Sequence, residues 1–538
     1  VAAIFLTACG SAPAPAADSA PAANGGEEAA APAEAAENAA PTRTKLVIAT
    51  MNLPEILDAQ QSFMGFPLSN EVIGQPMLRY DADAGVFVPD TIESFSVSED
   101  GKTMTITLPE GYKYSNGDPL DAQALVDAIN RYVEISPYNY DYEGLESVTA
   151  VDETTVEIVN ANGFNGMNQT FMTAFGSPWD VAAAKEIGDE AFAYNPIGNG
   201  LFSIKTEWSP GQDLELVRNE NFYTSNPLVS NQGPALMEEV LVRFITDGQT
   251  RANELEAGTV DIAYGLPASA ANAMESNPDI QVIKVVLAGQ VSISMNVNKA
   301  PFDDINVRKA VAMAVNREQL EVALNGSATA EYAFVNESMI GYDPAAQNYA
   351  KDLYPNDLDA AKALLAEAGW EDTDGDGVLD KDGEAFSVEF IIDSSSVTQT
   401  DAAAVLQAQL KELGIDLQIA QYERGAVRET MLAGDYQIGL YGYLWADADI
   451  LTYRFSEGMS PSQFFSSELT DMLDAARVIP VPADRTAAYL DIQKYLLDNI
   501  PMVPLMSENL YVGARSWVQG IKILFPDRLV LNDVKIVE

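Results

Sequence analysis

Two acidic stretches and a single cysteine carry most of the chemistry this chain offers. In Leu444-Trp445-Ala446-Asp447-Ala448-Asp449 an indole is followed by carboxylates at alternate positions. Trp445 can stack on an apolar, sugar or cationic group, and Asp447 and Asp449 can meet a cation. In Asp372-Thr373-Asp374-Gly375-Asp376-Gly377-Val378-Leu379-Asp380 the carboxylates fall at positions 1, 3, 5 and 9 with glycine at 6, the oxygen spacing of a calcium loop. Position 12 is Gly383 and Glu384 comes one later, so the bidentate glutamate of an EF-hand is missing. The loop reads either as a weak structural calcium site formed by Asp372, Asp374, Asp376 and Asp380 or as a solvated acidic turn. The chain has no histidine, which excludes imidazole triads, imidazole metal sites and nickel ligation through histidine. One cysteine, Cys9, excludes internal disulfides and multi-cysteine metal sites. No nucleophile motif stands out, and no catalytic residue is assigned. Among 80 Asp and Glu residues, pairs at catalytic spacing arise by chance.

Alternation and stop signals predict the elements that hold these residues. Residues 44–50 read as a buried strand. Phe95-Ser96-Val97-Ser98 runs through the turn Glu99-Asp100-Gly101-Lys102 into an alternating strand at 104–108, and residues 148–159 read as a second hairpin. Further on, a strand at 241–245, a helix at 251–257 stopped by Gly258 and a strand at 260–264 follow one another. The order returns as a strand at 415–419, a helix at 426–433 stopped by Gly434 and a strand at 436–445. Ala257-Gly258-Thr259-Val260-Asp261-Ile262 echoes Ala433-Gly434-Asp435-Tyr436-Gln437-Ile438. The echo predicts two lobes, each with a β-α-β unit. Core-facing helices are predicted at 306–315, 358–368 (N-cap Asp357, Gly369 just past its end) and 401–413.

The chain has 538 residues, long enough for more than one core, and a formal charge of −50. Nucleic acid and anionic membrane surfaces are poor partners for such a surface. The charge reads first as a solubilising surface, and second as an attraction for a cationic ligand. Beyond the first eight residues no apolar run reaches the ~20 residues of a membrane span.

Residues 1–8 read as the end of a signal-peptide h-region. Leu6-Thr7-Ala8-Cys9 resembles the bacterial lipobox, whose cysteine begins the cleaved chain and carries the lipid. An ordinary secretory signal with an incidental cysteine is the competing reading. The Ala/Pro/Glu-rich linker, residues 10–43, lacks the apolar surface needed to offset its ordering entropy. As a coil of this length it spans roughly 30–35 Å. The expectation is a body tethered through Cys9 to the outside of the bacterial cell membrane.

Several blocks, in order, resemble the family 5 extracellular solute-binding proteins that serve ABC importers. They are residues 95–102, Tyr112-Lys113-Tyr114-Ser115-Asn116-Gly117-Asp118-Pro119, Asn195-Pro196-Ile197-Gly198-Asn199-Gly200, Arg218-Asn219-Glu220-Asn221-Phe222-Tyr223, and the stretches 296–310 and 359–370. The resemblance implies a class II, two-lobed periplasmic-binding-protein-like α/β fold with an extra subdomain and a disordered N-terminal tether. Lobe I would be residues 44–294 plus 506–538, with the subdomain at 70–189, and lobe II 295–505. It further implies a monomeric receptor that closes over a peptide or other small solute and passes it to a membrane permease.

Ligands in open α/β sheets gather beyond the C-terminal strand ends. Candidate binding residues are therefore Trp445, Asp447, Asp449, Tyr264, Tyr443 and Asn52. Asp447 and Asp449 lie near where the family's peptide binders place an aspartate for the ligand's amino group. Dipeptide binders of the family use an arginine after the strand matching 387–392; here Asp393-Ser394-Ser395-Ser396 stands there. A conventional free dipeptide is thus disfavoured, leaving larger or basic peptides, cations and oligosaccharides. No cofactor is expected beyond the calcium just described. A secreted carboxylate-dependent hydrolase and a peptide-sensing or adhesive lipoprotein on the same fold are the alternatives.

Overall fold

The computed structural model of the chain describes residues 41–62 and 67–538. Cys9, the lipobox and the linker through residue 40 lie outside the described residues. Thr42 and Arg43, expected at the end of the linker, belong to the fold instead. The Thr42 N–H donates to the Ile536 carbonyl at 2.8 Å, and Arg43 Nη2 lies 2.5 Å from Asp261 Oδ1. Asp261 is buried and also accepts from the Val47 N–H and the Trp517 indole. A buried carboxylate needs such partners, and this one draws residue 43 onto the body.

A sheet of 12 strands runs through the body. In its first half Lys45–Thr50, Glu239–Phe244 and Ile262–Tyr264 are parallel, extended by Leu214–Arg218 and Phe202–Ile204. In its second half Ser387–Asp393, Asp416–Tyr422 and Ile438–Leu444 are parallel, and Gly289–Met295 runs against Ile438–Leu444. Strand Met502–Arg515 belongs to both halves. Its first residues pair with Gly289–Met295; its last pair with Ile262–Tyr264 and Ile280–Val286. The chain therefore passes between the halves at residues 287–288 and again at 507–508. This is the two-lobed α/β architecture that the sequence predicts.

The echo between the lobes is structural. Helices Gly248–Glu256 and Arg424–Leu432 each run into a glycine at φ +72°, Gly258 and Gly434, before strands Ile262–Tyr264 and Ile438–Leu444. A side chain there would be strained, so these glycines set where the chain leaves the helix. Helix Val397–Glu412 begins four residues before its predicted start, because Ser396 Oγ accepts from the Gln399 N–H at 3.1 Å and caps it.

Each half has its own core. Leu46, Ile48, Val240 and Ile262 pack beneath the first; Ile293, Phe390, Leu417 and Leu440 pack beneath the second. A separate four-stranded antiparallel sheet, Ser94–Val97, Thr103–Thr107, Thr155–Asn160 and Leu145–Ala150, packs on helix Ala122–Ile135. Its alternate residues Met104, Ile106, Val156 and Ile158 face Leu125 and Ile129, as period-two strands over an amphipathic helix require.

Candidate ligand-binding site

Parallel strands bring their C-terminal ends to one edge. In the second lobe that edge holds Asp393, Tyr422 and Leu444. Gly289 pairs with Leu444, so the first crossing leaves from the same edge. In the first lobe the edge holds Thr50, Phe244 and Tyr264, and Val512 pairs with Tyr264 where Met502–Arg515 arrives. The two edges thus meet the two crossings. They bound a crevice at the position where open α/β sheets gather ligands. The Leu287 N–H donates to the Glu508 carbonyl at 2.9 Å, binding one crossing to the other. Asn336 Nδ2 braces both by donating to the carbonyls of Leu287 and Gly289 and to Ser507 Oγ. Apolar side chains stand exposed along the rim: Met51 and Leu53 on the first lobe, Leu444 on the second.

The acidic loop after Leu444 is built differently from its expected use. Asp447 is 1% exposed and takes two hydrogen bonds from Arg485, at 2.9 and 2.5 Å. Burial opposes the charge on Arg485, but Asp447, Tyr489 and Asp449 outweigh it and hold the guanidinium protonated. Asp449, also buried, accepts from Thr452 Oγ1 at 2.9 Å, Tyr489 Oη at 3.0 Å and Arg477 Nε at 3.2 Å. Both carboxylates are consumed by protein partners. This corrects the expectation that they present charge to a ligand: two desolvated anions persist here only because arginines from helices Ser467–Arg477 and Pro482–Asn499 neutralise them. Those arginines are not legible as partners in the sequence, because their helical spacing carries no mark of a partner loop.

What the loop does hold is Trp445. Its N–H donates to the Ala288 carbonyl at 2.8 Å, which pins it beside a crossing. Its ring lies 6.3 Å from Tyr453, and its indole Nε1 is buried without a hydrogen-bond partner among the described residues. Asn52 follows the first strand, half-buried, with its backbone N–H on Thr50 Oγ1 at 3.3 Å. Tyr264 and Tyr443 are different. Tyr264 is core, its hydroxyl donating to the Asp527 carbonyl at 3.2 Å. The Tyr443 hydroxyl donates to the Phe334 carbonyl at 2.6 Å, and its ring stacks under Arg454. Both are satisfied internally, which argues for packing roles and corrects their expected place in the crevice.

The second lobe also touches the extra four-stranded subdomain. Gln169 Nε2 donates to Asp447 Oδ2 at 3.2 Å, the Tyr140 and Tyr453 rings lie 5.4 Å apart, and Asn165 Nδ2 donates to the Arg477 carbonyl. Beside this contact Asp141 is buried, and desolvation pushes its carboxyl up to about 7 against hydrogen bonds from Thr170 and Tyr132.

The segment 393–396 carries no arginine, but one arrives from elsewhere: Arg424 Nε lies 3.5 Å from Asp393 Oδ2. Asp372, Asp374 and Asp376 bring carboxylate oxygens within 4.8 Å of one another, all exposed. They also accept loop N–H groups, Asp372 from Gly375 and Gly377 and Asp376 from Val378. Asp380 turns instead to Thr373, at 3.2 and 3.0 Å. The loop precedes the N-terminal end of Ser387–Asp393, opposite the crevice edge, so any ion there would be structural.

The sequence profile of the bacterial extracellular solute-binding proteins, family 5, matches residues 86–459. The chain belongs to this family. Among curated relatives of this family 5 member, the oligopeptide-binding protein AppA of Bacillus subtilis is 25% identical over 456 residues, 80% of each chain. The glutathione-binding protein GsiB of Salmonella paratyphi A is 28% identical over 460 residues, 81% of this chain and 83% of the relative. Solved structures share the fold. HbpA2 from Haemophilus parasuis superposes with TM-score 0.77 at 22% identity, and NikA from Brucella suis with 0.78 at 20%; each match covers 92% of this chain and 100% of the other. No helix among the described residues is long and apolar enough to cross a membrane.

Proposed function

We propose that this family 5 member is the receptor of an ABC importer: it captures a peptide or related solute between its lobes and delivers it to a membrane permease. Family membership and relatives named for oligopeptide and glutathione binding support this reading. The observation that carries it is the crevice itself. Two sheet halves present their strand ends to one another and are linked by crossings at residues 287–288 and 507–508. Such crossings let the lobes rotate as bodies, the hinge closure by which two-lobed receptors enclose ligands. Trp445, pinned at the first crossing, stacks on the solute, with Asn52 facing it from the first lobe. Asp447 and Asp449 position the Trp445 loop. The protein binds without turnover, works as a monomer outside the cytoplasm, and is anchored through a lipid on Cys9.

Mass spectrometry of the solute that co-purifies from native membranes, followed by calorimetry and small-angle scattering, tests the proposal. One solute per chain and a more compact profile on binding are expected. Trp445→Ala is expected to weaken that binding by at least about tenfold, roughly the loss of one stacked aromatic contact. A profile indifferent to every solute, or release of a chemically altered product, overturns the receptor reading.

A further inference from the structure

We propose that the crevice selects solutes carrying a positive charge, and that Glu508 is the residue that meets that charge. The inference rests on the receptor reading above and adds a ligand class to it. Glu508 lies on Met502–Arg515 at the crossing between the lobes, half-buried. Its side chain is held by Ser396 Oγ, which donates to Oε1 at 3.2 Å. Ser396 in turn belongs to the loop at the C-terminal end of Ser387–Asp393, so the Glu508 carboxylate sits at the second-lobe edge of the crevice.

The charges around it leave it uncompensated. Asp393 is buried and accepts from the Ser395 N–H and Oγ, at 2.9 and 2.6 Å. Arg424 pairs with Asp393 at 3.5 Å while its side chain stays 74% exposed, and Arg428, also exposed, lies one turn further along the same helix. Among the described residues no lysine or arginine lies within ion-pair distance of Glu508. The facing edge supplies none either. Arg251 is buried and spends its guanidinium on the carbonyls of Ile245, Thr246 and Gly265, and Arg243 is paired with Glu254 at 2.8 Å. The nearby rim carries Met51, Leu53 and Leu444. Glu508 is thus a half-buried carboxylate with no described lysine or arginine in ion-pair distance, a charge that a bound cation completes.

Trp445 borders the same crossing through its backbone. The segment 287–288 is hydrogen-bonded on one side to the Glu508 carbonyl and on the other to the Trp445 backbone N–H. An indole and a carboxylate are each groups that an ammonium or guanidinium can meet. A free carboxylate on the solute would meet Glu508 and Asp393 unfavourably.

Burial pushes the Glu508 carboxyl up, with Ser396 and Arg424 opposing and Asp393 adding to the shift. The groups facing it are Asp393 and Ser396 from the end of Ser387–Asp393 and Arg424 from helix Arg424–Leu432. A cation that arrives stabilises the ionised form, so binding releases protons and strengthens as pH rises.

Calorimetry of the full chain with blocked alanine peptides bearing one central lysine, norleucine or glutamate tests the proposal. The lysine peptide is expected to bind at least about tenfold tighter than the norleucine peptide, and the glutamate peptide weakest. Glu508→Gln keeps the shape and the Ser396 contact, and is expected to bring lysine and norleucine peptides to within about twofold. In the parent protein lysine-peptide affinity is expected to rise as pH increases beyond the ordinary carboxylate range while norleucine-peptide affinity stays level. Equal binding of all three peptides, or a preference for norleucine or glutamate, overturns charge selection and leaves the receptor standing. Binding of none of them, with an unchanged scattering profile, overturns both. An unaltered lysine preference in Glu508→Gln overturns the role of Glu508.

Discussion

Replacing Asp447 with asparagine separates a structural carboxylate from a ligand-binding one. Asp447 and Arg485 are 1% and 5% exposed and share hydrogen bonds of 2.9 and 2.5 Å. Removing one partner of such a pair strands the other as an uncompensated buried charge, at a cost of about 3–5 kcal/mol. Asparagine keeps one acceptor oxygen for Arg485, which places Asp447→Asn near the lower end, about 3 kcal/mol. If the second lobe unfolds as a unit of typical domain size, at about 2–4 °C per kcal/mol, the melting temperature falls by about 6–12 °C. Calorimetric melting and urea titration of the same samples measure it. Pairing Asp447→Leu with Arg485→Met is expected to recover part of the loss, since no charge is then left buried alone. If Asp447→Asn melts within about 1 °C of the parent and instead loses solute affinity, the carboxylate serves the ligand and the reasoning from burial is refuted.

Further outcomes follow from other groups. Asp141 has a folded pKa of about 7 against an ordinary 3.8, so the fold binds the extra proton; its contribution is full below about pH 4 and is lost as pH rises to about 7. Asp141→Asn is expected to flatten that limb of urea midpoint against pH, and an unchanged slope would remove Asp141 as its source. Glu331, pushed up to about 7 by burial beside Ser507, carries the same sign, and Glu331→Gln is expected to flatten the same window. Calcium is expected to raise the melting temperature through the Asp372, Asp374 and Asp376 cluster, and Asp374→Asn to abolish the rise. Identical melts with calcium and with a chelator would assign these carboxylates to turn hydrogen bonds alone.

The legible part of this protein was local. Ordered blocks between residues 95 and 370 were enough to indicate the family, and alternation with stop glycines indicated the β-α-β units, because periodicity and left-handed caps are written within a few residues. Boundaries slipped where a cap was overlooked: Ser396 starts its helix before the apolar face begins. The site was legible only in part. Strand ends are local features, so Trp445 and Asn52 could be proposed from them, while Tyr264 and Tyr443 could not be told from core tyrosines by type alone.

By itself the sequence determined the family, the two α/β units and the exclusion of histidine chemistry, all of which depend on composition or short-range pattern. The tertiary structure alone decided what the acidic residues do. Asp447 meets Arg485 across 38 positions, and Glu508 meets Ser396 across 112. A carboxylate's role is set by which charges share its desolvated surroundings, and chain folding, not spacing, brings those charges together.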